Sequence, residues 1–179
     1  MSLNSFKTWE VEKLELFTVG YEGVQIPAFI EALRDAGVEQ IIDVRRIPLS
    51  RKKGFSKTPL KTTLNLAGFE YFHYKDLGCP QFIREHYRIN KDWTWYEDHF
   101  ESFLDKNEDL LWDLIRMSNV SPSCLLCFEA ESAKCHRRLI AERIKKMVGE
   151  DMRIIDILPG KISSVRINQV DFRQSCFAF

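Results

Sequence analysis

Apolar residues along the chain come in short β-branched runs that alternate with stretches of helical spacing. Leu14 to Val19 predicts a first strand, stopped at Gly20. After it, Pro27 sits near a helix start, with Phe29, Ile30, Leu33 and Ala36 on one helical face and Gly37 as the stop. Gln40 to Val44 is compact and apolar, as a strand buried on both faces of a parallel sheet should be. A loop from Arg45 to Lys57 leads to a short helix between Pro59 and Gly68, and an aromatic strand follows from Phe69 to Tyr74.

Leu77 to Trp95 reads as loop-like and rich in aromatics, an insertion covering the sheet or a lid, about residues 75–96. Tyr96 to Met117 has helical spacing in two pieces, Phe100, Phe103 and Leu104, then Leu111, Leu114 and Ile115. Ser123 to Phe128 predicts another buried strand, Ser132 to Val148 a helix with Ser132 as its N-cap, and Met152 to Ile157 a last strand before Pro159 and Gly160. Strands alternating with helices imply an α/β three-layer sandwich, with a mostly parallel central sheet and helices on both faces. At 179 residues the expectation is a single α/β domain over 1–179, with its core at about 18–157 and a C-terminal tail at 160–179.

Composition narrows the class. Hydrophobic residues make 45% of the chain and charged residues 29%, which excludes a disordered or fibrous protein. Lys plus Arg and Asp plus Glu are 26 each, so the whole molecule is not a polycation and any anion site must be local. The balance is uneven by position. Val44 to Phe69 holds seven bases and no acid, whereas Glu97 to Asp113 holds seven acids and one base, the pattern of a solvated helix face. No apolar run is long enough for a membrane span, and five cysteines, an odd number, suit a reducing compartment; the expectation is a cytoplasmic protein with no membrane partner.

In a parallel sheet the site lies beyond the carboxyl ends of the strands. Three strand exits carry unusual residues: Gly20-Tyr21-Glu22-Gly23, Asp43-Val44-Arg45 and Cys127-Phe128-Glu129. They are expected to converge. After five intervening residues, Glu129 is followed by Cys135-His136-Arg137. With Ser132 as N-cap, Cys135 falls in the first helical turn, where free N–H groups and the dipole favour a thiolate. A reactive thiol competes there with a structural one. Metal ligation by Cys127, Cys135 and His136 is the weakest reading, because adjacent helical residues diverge by about 100° and no second Cys or His pair completes the set, so no metal or cofactor is expected. A tyrosine-phosphatase loop is excluded, since the residue six after Cys135 is Ala141 rather than Arg. Cys124 and Cys127 have thioredoxin spacing but lie within a strand, on opposite faces.

Arg45, Ser50 and Arg51 around Pro48 form a donor set suited to phosphate, unless Arg45 is spent on Asp43 or Glu129 as a buried ion pair. Asp43 is a general base or a residue that orients Arg45. Arg46, Lys52 and Lys53 read as surface charge. Tyr71, His73, Tyr74, Phe82, Tyr87, Trp93, Trp95 and Tyr96, with Arg84, His86, Arg88 and Lys91 among them, suit either base stacking or core packing.

Taken together, Thr18 to Gly23, Asp43-Val44-Arg45 with Pro48, Ser50 and Arg51, Tyr71 with Leu77-Gly78, and Cys127-x-Glu129 with Cys135-His136-Arg137 resemble the prokaryotic family known as domain of unknown function 488, over about Thr18 to Ile144. The resemblance implies a compact α/β domain in a bacterium or archaeon, with Arg45, Ser50, Arg51, Glu129, Cys135, His136 and Arg137 in one site. Cys79 stands where a second Gly is common. The leading expectation is an enzyme-like domain binding a phosphate-bearing small molecule or a nucleic-acid end. Arg45, Arg51 and Arg137 hold the anion, with Ser50, Tyr21 and Tyr71 beside it. Glu129 or Asp43 is the acid–base group, and Cys135 with His136 is the nucleophile pair. The alternatives are a non-catalytic nucleic-acid-binding module using Arg45 to Lys61 and the aromatic segment, and a thiol redox or metal sensor.

Overall fold

The structure is a computed structural model and describes residues 14–160. Five parallel strands form one sheet in the order β3-β2-β4-β1-β5: β1 is Glu15–Gly20, β2 Gln40–Asp43, β3 Glu70–His73, β4 Ser123–Cys127 and β5 Arg153–Ile157. The chain starts near the centre, moves outward through β2 to β3, then returns through β4 to β5. The outward crossovers use α1 (Ile26–Asp35) and α2 (Lys57–Leu66), and the return uses α3 (Gln81–Asn90), α4 (Trp93–Asp105), α5 (Glu108–Val120) and α6 (His136–Val148).

Strand alternation divides the core in two. Phe17, Val19, Ile41, Cys124 and Leu126 pack with α1 and α2, whereas Leu16, Ile42 and Leu125 pack with α3 to α6. This is the three-layer α/β sandwich the pattern predicts. β4 is buried at every position, as a central strand covered on both faces must be. Cys124 faces the α1 side and Cys127 faces α6, so the two thiols part as strand geometry requires.

Two elements differ from expectation. Leu77 to Trp95 is mostly helical: a 3-10 turn spans Lys75–Leu77, then α3 starts after Pro80 and ends at Lys91 in the left-handed conformation (φ 56°). Asp92 then caps α4, its side chain accepting the Trp95 N–H. α3 is mostly polar and buries one residue fully, Ile83, with Tyr87 partly buried one turn later on the same face. The second difference is the start of α6. Ser132 is not the cap, because its hydroxyl donates to Asp156; the cap position belongs to Cys135, in extended conformation (φ −135°, ψ 139°). The acidic stretch is also more than a solvated face, since Glu101 and Asp105 of α4 pair with Arg143 of α6. The tail from residue 161 onward, with Cys176, lies outside the described residues. No helix among the described residues is long and apolar enough to cross a membrane.

A basic cleft above a thiol, imidazole and carboxylate cluster

The exits of β1, β2 and β4, three adjacent strands, meet at a cleft of about 700 Å³ on the carboxyl edge of the sheet. Tyr21 follows β1, Arg45 to Lys52 follow β2, and Cys127 to Glu129 close β4; Arg84, Tyr87, Trp93 and Tyr96 form a wall from α3 and α4, and Lys134 to His136 the opposite corner.

Beneath the rim lies an ion pair. Asp43, wholly buried, accepts from Arg45 Nε at 2.8 Å and from its terminal nitrogen at 2.5 Å, and from the Tyr71 hydroxyl at 2.6 Å. The remaining Arg45 donors go to the Tyr21 hydroxyl at 2.9 Å and the Phe55 carbonyl at 2.8 Å. Burial opposes the charge on Arg45, but Asp43 outweighs it, so the guanidinium stays charged. Burial and the Asp43 charge push the Tyr71 hydroxyl well above its ordinary range. This arrangement shows where four of the expected site residues are spent. Asp43 is not a base facing the cleft: both its oxygens are occupied, and its work is to orient Arg45. Tyr71 braces Asp43 from below. Arg45 and Tyr21 touch the cleft but are committed to each other and to Phe55, whose ring stacks on Tyr21 at 4.4 Å.

Arg137 is spent in the same way. It is 1% exposed, and its donors go to Thr18 Oγ1 at 3.2 Å and to the carbonyls of Glu129 at 2.5 Å and Ala130 at 3.1 Å. It ties the β4 exit to β1 rather than facing a ligand. Gly20 makes that closeness tolerable, since a Cβ there would lie 1.7 Å from the Glu129 carbonyl oxygen.

The floor brings together Cys127, Glu129, Cys135 and His136, whose donor atoms all lie within 4.8 Å of one another. The Glu129 carboxylate accepts from Cys127 Sγ at 2.8 Å and from Cys135 Sγ at 3.1 Å. His136 Nδ1 lies 3.6 Å from Cys127 Sγ and 3.9 Å from Cys135 Sγ. The adjacent residues Cys135 and His136 converge because Cys135 precedes the helix and does not follow its rotation. Burial, joined by Cys127, pushes the Cys135 thiol well above its ordinary range, opposite to the direction expected of a thiol at a helix start. Cys127 is raised, chiefly by burial, and burial pushes Cys79 up to about 12. Burial would raise Glu129, yet hydrogen bonding from Cys127 and the neighbouring His136 charge hold it below the usual carboxylate range. For His136, burial is outweighed by Cys135 and by the Val44 carbonyl, which raise its pKa.

The rim is cationic. Arg46, Arg51, Lys52, Arg84 and Lys134 line it together with Arg45, and among the described residues Glu129 is the only acid in the lining. None of those five forms an ion pair among the described residues. Ser50 also lines the cleft; its Oγ accepts the Lys52 N–H, which leaves its own proton to donate. Four of these cations were not among the expected site residues. Arg46 and Lys52 read as surface charge, Arg84 was one base among many in a supposed loop, and nothing in the spacing singled out Lys134.

Fold and cleft together define an α/β protein with a parallel sheet, whose strand exits carry a basic cleft over a cluster of two thiols, an imidazole and a carboxylate. The chain belongs to the family described as domain of unknown function DUF488, whose family model matches residues 25–144. The match takes in every residue of the cleft except Tyr21, and it begins seven residues after the expected Thr18. No curated protein and no solved structure matches the chain.

Proposed function

We propose that the cleft binds a phosphate-bearing ligand of about nucleotide size and presents it to the thiol, imidazole and carboxylate floor, as an enzyme would. The observation that carries this reading is the set of five cations without ion-pair partners on the rim, facing a single acid. Cations left unpaired around a concavity focus a positive potential into it. Arginines offer forked donors that match phosphate oxygens. The volume falls within the roughly 300 to 1,000 Å³ of small-molecule sites. Tyr87, Trp93 and the exposed Phe128 add aromatic faces at the same opening, which favours a ligand with a planar ring beside its phosphate.

Arg51 and Arg84 approach from different elements, the β2 exit and α3, and both are exposed, so replacing them should leave the fold intact. Loss of a charged hydrogen bond costs about 1.5 to 3 kcal/mol, so Arg84→Glu is expected to weaken nucleoside triphosphate binding at least tenfold, and Arg51→Glu with Arg84→Glu to abolish it. Titration calorimetry with adenosine and guanosine triphosphates checks this, with unchanged melting of the variants as the control. Equal affinity in the double variant would refute the reading. Binding confined to single-stranded nucleic acid, falling steeply with salt, would replace it with the nucleic-acid-binding alternative.

A further inference from the structure

We propose that Cys127, Glu129, Cys135 and His136 hold a zinc ion at the floor of the cleft. Two thiols, an imidazole and a carboxylate form a donor set that suits zinc and not magnesium or calcium, which take oxygen ligands. Zinc bonds of about 2.0 to 2.3 Å in a tetrahedron place neighbouring donors roughly 3.3 to 3.8 Å apart. The sulfur to Nδ1 separation of 3.6 Å lies within that range, and the one of 3.9 Å just above it. The sulfur to Glu129 separations of 2.8 and 3.1 Å are thiol hydrogen bonds, which open by a few tenths of an ångström as a metal replaces the thiol protons. Binding releases those two protons to solvent.

The orientation of His136 is an independent observation. Its Nε2 lies 2.9 Å from the Val44 carbonyl oxygen. A carbonyl can only accept, so Nε2 carries the proton and the neutral ring leaves Nδ1 without one; Cys127 Sγ lies beside the ring, 3.6 Å from Nδ1 and 4.0 Å from Nε2, so the ring turns about its Val44 contact to bring the Nδ1 lone pair onto a metal. Histidines that bind metals are held in this way, with the far nitrogen donating to a carbonyl or carboxylate. The supports around the ligands are rigid as well. Arg137 fixes the carbonyls of Glu129 and Ala130, and Glu22 accepts the Ala130 N–H at 3.1 Å. β4 supplies Cys127, and Cys135 is presented at the start of α6. Cys135 and His136 are neighbours in sequence, yet they serve one ion because the helix begins between them. The inference rests on these four donors and holds whether or not the cleft takes a phosphate.

The test is metal analysis of the full-length reduced protein, then titration of the chelator-treated protein with Co2+ alone. The expected results are one zinc per chain, and on cobalt loading a thiolate charge-transfer band with the intense visible bands of tetrahedral cobalt. Cys135→Ser and Cys127→Ser should lose the charge-transfer intensity, and Cys124→Ala should keep it. Circular dichroism shows whether each variant folds, and the cobalt titration of the unaltered protein decides the matter even where a variant does not. A pale octahedral cobalt spectrum, no uptake of Co2+ or Zn2+ at equimolar concentration, a Cys127–Cys135 disulfide formed in place of binding, or undiminished zinc in a folded variant lacking both thiols would each overturn the proposal.

Discussion

Arg45→Ala is expected to destabilise the protein by about 3 to 5 kcal/mol, the largest loss of any single change near the cleft. Among the described residues the guanidinium is the only cation paired with Asp43, which is wholly buried, and removing it strands that carboxylate in the interior. It would also leave the Tyr21 hydroxyl and the Phe55 carbonyl without their donor. Chemical denaturation measures the loss. The double variant Asp43→Asn with Arg45→Met should be more stable than Arg45→Ala alone, because the neutral pair carries no stranded charge. A loss under about 1 kcal/mol for Arg45→Ala would mean that the pair is not the structural base of the rim.

Gly20→Ala carries the second large effect. The added Cβ would lie 1.7 Å from the Glu129 carbonyl oxygen and 2.5 Å from its carbon, and both are backbone atoms. No rotamer change can relieve that overlap, so the segment from Phe128 to Ala130 must move. The stability loss should fall at the upper end of the about 1 to 3 kcal/mol that overpacking usually costs. The sharper readout is at the site. The carbonyl that would move accepts from Arg137, and its residue supplies the carboxylate of the floor, so ligand and metal affinity should both fall in protein that remains folded. Thermal melting alongside binding separates the two effects. Unchanged affinity at both places would show that β1 does not position the β4 exit.

Much of the fold was legible because its central strands β2 and β4 are short and buried at every position, and because glycines and prolines lie near the element ends. Gln40 to Val44 and Ser123 to Phe128 needed no tertiary information to be placed. The α3 region was missed although Ile83 and Tyr87 do fall at helical spacing: most of its residues are polar, and its aromatics read as part of a longer aromatic and basic stretch. At the site, chemical type was legible and direction was not. Asp43, Arg45, Arg137 and Tyr71 are the residue types an anion site uses, and a sequence cannot tell whether a guanidinium turns to a ligand or to a neighbouring carboxylate. The rim cations that do face the cleft, Arg46, Arg51, Lys52, Arg84 and Lys134, come from three separate segments, and only the fold brings them together. The N-cap of α6 illustrates the same limit. Ser132 has the better capping chemistry, but Asp156, on the edge strand β5, claims its hydroxyl. That moved the helix start by three residues and turned Cys135 toward Glu129 and His136.

The account rests on one claim, that ligand binding occurs at the carboxyl edge of the sheet, between the β2 exit and α3. Amide and Arg side-chain NMR spectra recorded during titration with a nucleoside triphosphate test it most directly. Saturable shifts confined to Arg46–Lys52, Arg84, Tyr87, Trp93, Phe128, Glu129 and Lys134 are expected, with β3 and β5 unmoved. Shifts centred elsewhere, or none at millimolar nucleotide, would contradict it.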